Sequence, residues 1–202
     1  MIYQVRIICR RYRFVLFANL LALCFAIAAT VQIESALAAA PEGTKTIYLI
    51  DKSGNRHPIG NVAFAAAETT TTISVSLDET RFVEKFLSMR PFRCIDGPKQ
   101  AVCHLPYPYE LKNRVTGNDL SDLEYRLLFL HKGTAEYGIN AWNGLYYKLE
   151  IAADGSLNGT LHEADFNVLA VPPDEPFTRP IGRADLVPAE DGRHRFPGLI
   201  IR

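Results

Sequence analysis

The chain has 202 residues, of which 22 are basic and 22 acidic, and 48% are hydrophobic. This length suits a single domain that buries a sizeable core. The charges balance and form no basic run, which argues against an electrostatic footprint for nucleic acid, so no nucleic-acid partner is expected.

The N-terminal 38 residues have the pattern of an export signal. Four arginines and no acidic residue precede an apolar run at 14–31, and Ala36-Leu37-Ala38 follows it. The pattern predicts a secretory signal peptide cleaved after Ala38. The alternative is an uncleaved membrane anchor, because the run is only slightly shorter than the ~20 residues that cross a bilayer. Either way the remainder is expected outside the cytoplasm, in a bacterial periplasm or the extracellular space, and it meets a membrane only if this segment stays attached.

The remainder carries 18 basic and 21 acidic residues once the four arginines and Glu34 of residues 1–38 are removed. It divides by composition into a β-rich domain at 39–171 and a proline-rich arm at 172–202. In the domain, the alternation around Ile47, Leu49, Val62 and Phe64 predicts a hairpin with "DKSGN" as its turn. The β-branched stretch "TTTTISVSL" predicts another strand.

An amphipathic helix is predicted at 78–89. Four apolar residues occupy one helical face at i, i+1, i+4 and i+5, namely Phe82, Val83, Phe86 and Leu87. Ser76 and Glu79 have the spacing of a capping box, and Pro91 ends the helix. This helix is expected to pack its apolar face on the sheet.

The segment "PFRCIDGPKQAVCHLPYPY" holds the two cysteines that follow the N-terminal run, Cys94 and Cys103. Asp96-Gly97-Pro98 is strong turn chemistry, so the segment predicts a β-hairpin closed by a Cys94–Cys103 disulfide. A redox thiol and a metal site are the alternatives. Redox pairs normally show C-x-x-C spacing, and a structural zinc needs four ligands where only His104 is near.

Further along, residues 120–131 fit either a helix or a strand, and a short helical turn followed by a strand at 124–131 is expected. "GLYYKLEI" and "SLNGTLHEADFNVLA" predict a hairpin with Asp154-Gly155 in its turn, and Asn158-Gly159 suggests a bulge. The arm is expected to lie extended over the domain and to end in an edge strand at 198–202. The fold class is therefore mainly β (α+β), an antiparallel barrel or sandwich with one amphipathic helix.

No catalytic motif is present. The chain lacks G-x-S-x-G, a zinc-protease H-E-x-x-H and a glycine-rich phosphate loop, so no catalytic residue, metal or cofactor is assigned. Glu163 and Asp165 would share one face of a strand, where paired carboxylates raise a pKa, and with a histidine they would make an unrecognised hydrolase.

A binding surface is the stronger functional hypothesis, and packing of the same aromatics in the core and at its rim is the alternative. Tyrosine and tryptophan are enriched at interfaces. Two tyrosines follow the predicted disulfide hairpin in "HLPYPYE", and the separate segment "YGINAWNGLYY" adds the only tryptophan. The candidate patch consists of Arg90, Arg93, His104, Tyr107, Tyr109, Trp142 and Tyr146. We expect an exported, non-enzymatic binding or envelope-associated domain whose partner is a small hydrophobic ligand or a protein. A structural subunit of an envelope assembly is a further alternative.

Overall fold

A computed structural model describes residues 40–202, so the predicted signal peptide at 1–38 lies outside the described residues. Within the described range, no helix is both long enough and apolar enough to cross a membrane. The strands are β1 (Gly43–Ile50), β2 (Arg56–Ala66), β3 (Thr71–Leu77), β4 (Val83–Phe86), β5 (Pro91–Ile95), β6 (Gln100–His104), β7 (Arg114–Val115), β8 (Phe129–Gly133), β9 (Gly144–Ile151), β10 (Leu157–Ala164), β11 (Val187–Pro188) and β12 (Gly198–Ile201). The α-helix α1 spans Ser121–Arg126, and 3-10 turns lie at Glu79–Arg81, Phe166–Leu169 and Arg183–Asp185.

All twelve strands belong to one antiparallel sheet. Its order is β4-β5-β6-β8-β9-β10-β12-β1-β2-β3-β7, with β11 attached to β10. The ends of the order, β4 and β7, do not pair with each other, so the predicted barrel is not closed. The prediction of a mainly β, antiparallel fold is confirmed as one open sheet.

The sheet buries both of its faces near its middle. In β9, Leu145, Tyr147 and Leu149 belong to one apolar core, whereas Tyr146 belongs to a second core on the opposite face. This follows from the alternation of side chains along a strand. We call these the inner core and the outer core, and Cys94 and Cys103 lie in the outer core.

The predicted helix at 78–89 is wrong. Asp78 accepts a hydrogen bond from the Thr80 N–H and caps the 3-10 turn, after which the chain becomes β4. The four apolar residues do not form one buried stripe, because Phe82 packs on the inner core and Leu87 on the outer core, while Val83 and Phe86 are exposed. Pairing of β4 with β5 supplies the backbone hydrogen bonds that a helix would have made internally.

The helix that does form among residues 40–202 is α1, at the segment where a short helical turn before a strand is predicted. The turn is confirmed, but β8 begins at Phe129, later than expected. Contacts of α1 with β3, β7 and β9 place it across the sheet.

The hairpins with clear turn residues form as predicted. β1 and β2 flank residues 51–55, β5 pairs with β6, and β9 pairs with β10 around Asp154-Gly155. The suggested bulge at Asn158-Gly159 is absent, because β10 stays in continuous register with β9 from Leu157 to Ala164.

The predicted edge strand at 198–202 is a strand, β12, but it is not at an edge. It lies between β10 and β1, with Ile201 opposite both Leu157 and Ile47. Leu199 and Ile201 are buried in the inner core, which explains why this segment pairs on both sides. The residues before it contact the domain through β11, which pairs with β10, and through buried side chains such as Ile181 and Phe196. The division into a domain and an arm stays a prediction.

Candidate functional site

The disulfide hairpin organises the first part of the site. Cys94 and Cys103 are directly opposite each other in β5 and β6, are fully buried, and are joined by a disulfide. The predicted bond is therefore confirmed, and neither sulfur is a free thiol. A disulfide of this kind indicates an oxidising compartment.

A cavity of about 790 Å³ opens where the two ends of the sheet order approach each other. We call it the seam cleft. One wall comes from the end of β3 and the following turn, and the other from β4, β5 and the end of β6. Its lining consists of Ser76, Leu77, Glu79 and Glu84, residues 90–93 and residues 104–108.

Three polar residues form a row across the wall made by β4, β5 and β6. Glu84 is opposite Arg93, and Arg93 is opposite His104. Directly opposite residues in antiparallel strands have Cβ atoms roughly 4.5–5.5 Å apart, so the three side chains are neighbours on one face. His104 is in turn opposite Phe129 of the inner core, so the row borders that core on one side.

His104 is held in one tautomer. Its Nε2 lies 3.1 Å from the Arg126 carbonyl oxygen, which can only accept, so Nε2 carries the proton. Burial lowers the pKa of His104, and the Arg93 guanidinium lowers it further, although the hydrogen bond to Arg126 acts in the opposite direction. The ring is therefore neutral near pH 7, and its Nδ1 is a hydrogen-bond acceptor.

That acceptor is open. Nδ1 has no hydrogen-bond partner within residues 40–202. Every fully buried side-chain N or O atom in this range does have a partner, so Nδ1 is not fully buried. The Nδ1 atom is therefore reachable by solvent or by a ligand. The ring itself is fixed by an edge-to-face contact with Phe129, with centroids 5.5 Å apart.

The charges of the seam cleft are only partly paired. Arg93 Nη2 lies 2.9 Å from Glu79 Oε1, an ion pair that joins its two walls. Arg90 and Glu84 both line the cleft, and neither has an ion-pair partner among the described residues. The cleft thus presents one uncommitted cation and one uncommitted carboxylate.

Tyr107 gives the cleft a rigid aromatic wall. Its hydroxyl donates to the Thr178 carbonyl at 2.7 Å, and its ring makes edge-to-face contacts with Tyr109 and Tyr125. The ring is 5% exposed, so it is fixed by its neighbours before any ligand arrives. Tyr109 instead lines a separate, more open cleft with residues 172–177, and its hydroxyl donates to the Leu169 carbonyl.

Tyr146 and Trp142 are not part of the seam cleft. The Tyr146 hydroxyl is 2.5 Å from buried Glu124, which also accepts from Lys148 Nζ and the Leu149 N–H. Burial and the Glu124 carboxylate raise the pKa of Tyr146, which keeps its hydroxyl protonated. Trp142 is 68% exposed and lines none of the clefts described here.

Four of the seven predicted patch residues therefore line one cavity, namely Arg90, Arg93, His104 and Tyr107. Leu77 and Glu84 were not predicted as part of the patch, and Glu84 was assigned to the helix at 78–89. The alternation of "VEKF" before "PFRC" was the signal for a hairpin that would have placed Glu84 opposite Arg93.

The residues of the hydrolase hypothesis are only partly brought together. Glu163 Oε1 lies 2.5 Å from His194 Nε2, whereas Asp165 follows β10 and caps the next 3-10 turn through the Asn167 N–H. Gln100 accepts from the Arg195 N–H through Oε1, so its Nε2 donates to His194 Nδ1. His194 Nε2 therefore donates to Glu163, and with 1% of its surface exposed the ring has no room for a substrate.

No three His, Cys, Asp or Glu side chains within residues 40–202 are grouped so that they could hold a metal ion. Comparison of the chain with protein-family models, with curated proteins and with solved structures gave no match. The site is therefore interpreted from its geometry alone.

Proposed function

We propose that this protein is an exported, non-enzymatic binding domain whose ligand occupies the seam cleft. The observation that carries the proposal is the row of Glu84, Arg93 and His104 along one wall of a cavity of about 790 Å³. Ligand sites in proteins are cavities of comparable size, with a few fixed polar groups among apolar ones.

The site supports binding better than catalysis. His104 has its proton on Nε2 committed to a backbone carbonyl, and Cys94 and Cys103 are bonded to each other. Ser76 lines the cleft but makes no side-chain hydrogen bond to a base within residues 40–202, and the two lining carboxylates, Glu79 and Glu84, are both exposed. Hydrolysis by Glu163 and Asp165 is the weaker proposal, because the histidine that Glu163 contacts is buried.

Export is part of the proposal. The disulfide supports an oxidising compartment, and the basic, apolar and small-residue pattern of residues 1–38 supports a signal peptide or an anchor. We place the mature domain in a bacterial periplasm or outside the cell. A rigid wall made of a cross-linked hairpin and the proline-flanked Tyr107 would bind with little ordering cost.

The test is a ligand screen read by NMR at His104 and Leu105, using acids, amines, amino acids, peptides and lipids. Glu84→Trp should block the cleft, because Glu84 lines it and is exposed. Val83→Trp is the matched control, since Val83 is 54% exposed on the opposite face of the same strand.

Ligands should shift the His104 signals in the wild type and in Val83→Trp and should fail to do so in Glu84→Trp. If no ligand in the screen shifts these signals, or if Glu84→Trp responds like the wild type, the seam cleft is not the binding site.

A further inference from the structure

We propose that the seam cleft selects zwitterionic ligands, each with an ammonium group, a carboxylate and an apolar side chain. Apolar amino acids and short peptides share this chemistry. The inference rests on the proposed function and adds the class of ligand.

Two charged residues of the seam cleft remain without an ion-pair partner among residues 40–202 after internal pairing. Glu79 neutralises Arg93 at 2.9 Å, which leaves Arg90 and Glu84 as the uncommitted charges of the lining within the described residues. Both side chains are exposed, so a ligand with a single charge would pair with one of them and leave the other to solvent. A zwitterion satisfies both, and charge complementarity of this kind sets specificity.

The β4–β5 hairpin separates the two uncommitted charges. Glu84 is on β4, and Arg90 lies in the turn that joins β4 to β5, one residue before Pro91. Pro91 is opposite Phe86, so the hairpin places Arg90 beyond Phe86 and Glu84 beside Arg93. The two charges therefore mark two separated points along one wall, with a carboxylate expected at Arg90 and an ammonium at Glu84. Arginine binds a carboxylate through two parallel hydrogen bonds.

His104 supplies one more polar atom to the seam cleft. His104 Nδ1 is an acceptor, and it lies two strands from Glu84 in the same row. The two acceptors are separated by two strand spacings, roughly 10 Å, so one donor does not bridge them. The ammonium pairs with Glu84, and a second donor on the ligand, such as a peptide N–H, meets Nδ1 of His104. An anionic group has no donor there except Arg93, which is already paired with Glu79.

The apolar part of the ligand has its own wall. Leu77 and Leu105 line the cleft on opposite sides, and the Tyr107 ring is held by its neighbours. Leu77 and Leu105 are only partly buried, so their remaining surface is available to an apolar side chain. Removal of that surface from water contributes roughly 25 cal/mol per Å².

The experiment compares four probes by calorimetry and by NMR at His104. L-Phenylalanine carries both charges, N-acetyl-L-phenylalanine lacks the ammonium, and L-phenylalaninamide lacks the carboxylate. The dipeptide Ala-Phe carries both charges farther apart. Phenylalanine or the dipeptide should bind about tenfold or more tightly than either capped compound, because each cap removes a charged hydrogen bond.

Two charge-removing variants test the assignment of each end. In Arg90→Gln, the amide compound should bind as well as phenylalanine. In Glu84→Gln, the N-acetyl compound should bind as well as phenylalanine. Arg183→Gln and Glu150→Gln are matched controls, because these exposed residues line a different cleft, and they should keep the wild-type order.

The outcomes separate the two proposals. Tighter binding of the dipeptide identifies peptides as the ligand source, and tighter binding of phenylalanine identifies free amino acids. If capped compounds or other ligands bind equally well and shift His104, the zwitterion inference is wrong and the binding function stands. If none of these probes and no ligand of the wider screen shifts His104, both proposals fail.

Discussion

Glu124 shows how a buried charge can be structural rather than catalytic. It has no exposed surface, yet its two oxygens accept from Tyr146, Lys148 and the Leu149 N–H. A buried carboxylate is tolerated when its hydrogen bonds are complete. This set joins α1 to β9, so it fixes the helix against the sheet. It also commits the hydroxyl of Tyr146, a predicted binding residue that lines a cleft separate from the seam cleft.

His131 is the second informative residue, because its environment opposes protonation. Its half-buried ring lies 4.7 Å from the ring of His194, and Glu163, Glu136 and Arg193 also act on it. Burial first, and then His194, lowers the pKa of His131 to about 4. The nearby carboxylates oppose this shift but do not cancel it.

The first prediction concerns pH. In the unfolded chain His131 takes up a proton near its ordinary pKa of 6.5, whereas in the fold it does so only near 4. The unfolded state therefore binds more protons between these values, and the free energy of unfolding should fall as pH drops through this window. Urea midpoints at pH 7.5 and pH 5.0 should show the loss, and His131→Gln should reduce it. Equal pH dependence in the variant and the wild type would contradict this assignment.

Among the elements, the β5–β6 hairpin has the clearest covalent support. The disulfide closes a loop of about ten residues, and the same hairpin supplies Arg93 and His104 to the seam cleft. The bond stabilises mainly by restricting the unfolded chain. It also limits the motion of the strand pair that carries the polar row.

The second prediction is the cost of removing this bond. Cys94→Ala combined with Cys103→Ala should lower the free energy of unfolding by about 2.5–3 kcal/mol, from the loop-closure entropy. Chemical unfolding with and without reductant measures the effect. Reductant should destabilise the wild type and leave the double variant unchanged, and equal stability of all four samples would be the contrary result.

Elements set by nearby residues could be predicted from the sequence, whereas elements set by distant partners could not. The hairpins at residues 51–55 and at Asp154-Gly155 depend on turn residues that act within a few positions. The helix predicted around Phe82 and Leu87 was wrong. Residues at helical spacing can also pack on two different cores, as these two do. The position of β12 depends on partners far away in the chain, which no local pattern reports.

The same distinction applies to the site. Arg90, Arg93, His104 and Tyr107 were predicted together because they flank one hairpin in the chain. Glu84 joins them through the β4–β5 hairpin, where a helix was predicted. Leu77 joins them only through the way the two ends of the sheet approach each other. Trp142 was included because of its residue type, and neither its exposure nor its distance from the cleft was visible in the sequence.

For the molecule as a whole, β12 connects two parts of the sheet. Strands β1 to β3 and β7 lie on one side of it, and β4 to β6 and β8 to β10 on the other. Leu199 and Ile201 are buried in the inner core that both parts share. A four-residue strand therefore carries the pairing between two groups of strands.

The third prediction is that deletion of residues 198–202 abolishes cooperative unfolding. The deletion leaves β10 and β1 with unpaired edges and opens the inner core. Calorimetry and near-UV circular dichroism measure the loss. Ile200→Thr, which changes a half-buried side chain of β12 and keeps the backbone pairing, is the control and should unfold cooperatively. A cooperative transition in the deleted chain would show that the two parts do not need β12.

The place of β12 also governs the order in which the protein can assemble during its synthesis. β1 leaves the ribosome early, but the strand on its other side is made only after β10, the 3-10 turns and the proline-rich segment. Until then β1 and β10 each expose a row of backbone groups that a foreign strand could capture. Newly made chains therefore need shielding until residues 198–201 emerge, whereas the strands of the β5–β6 hairpin, with its short loop, can pair well before.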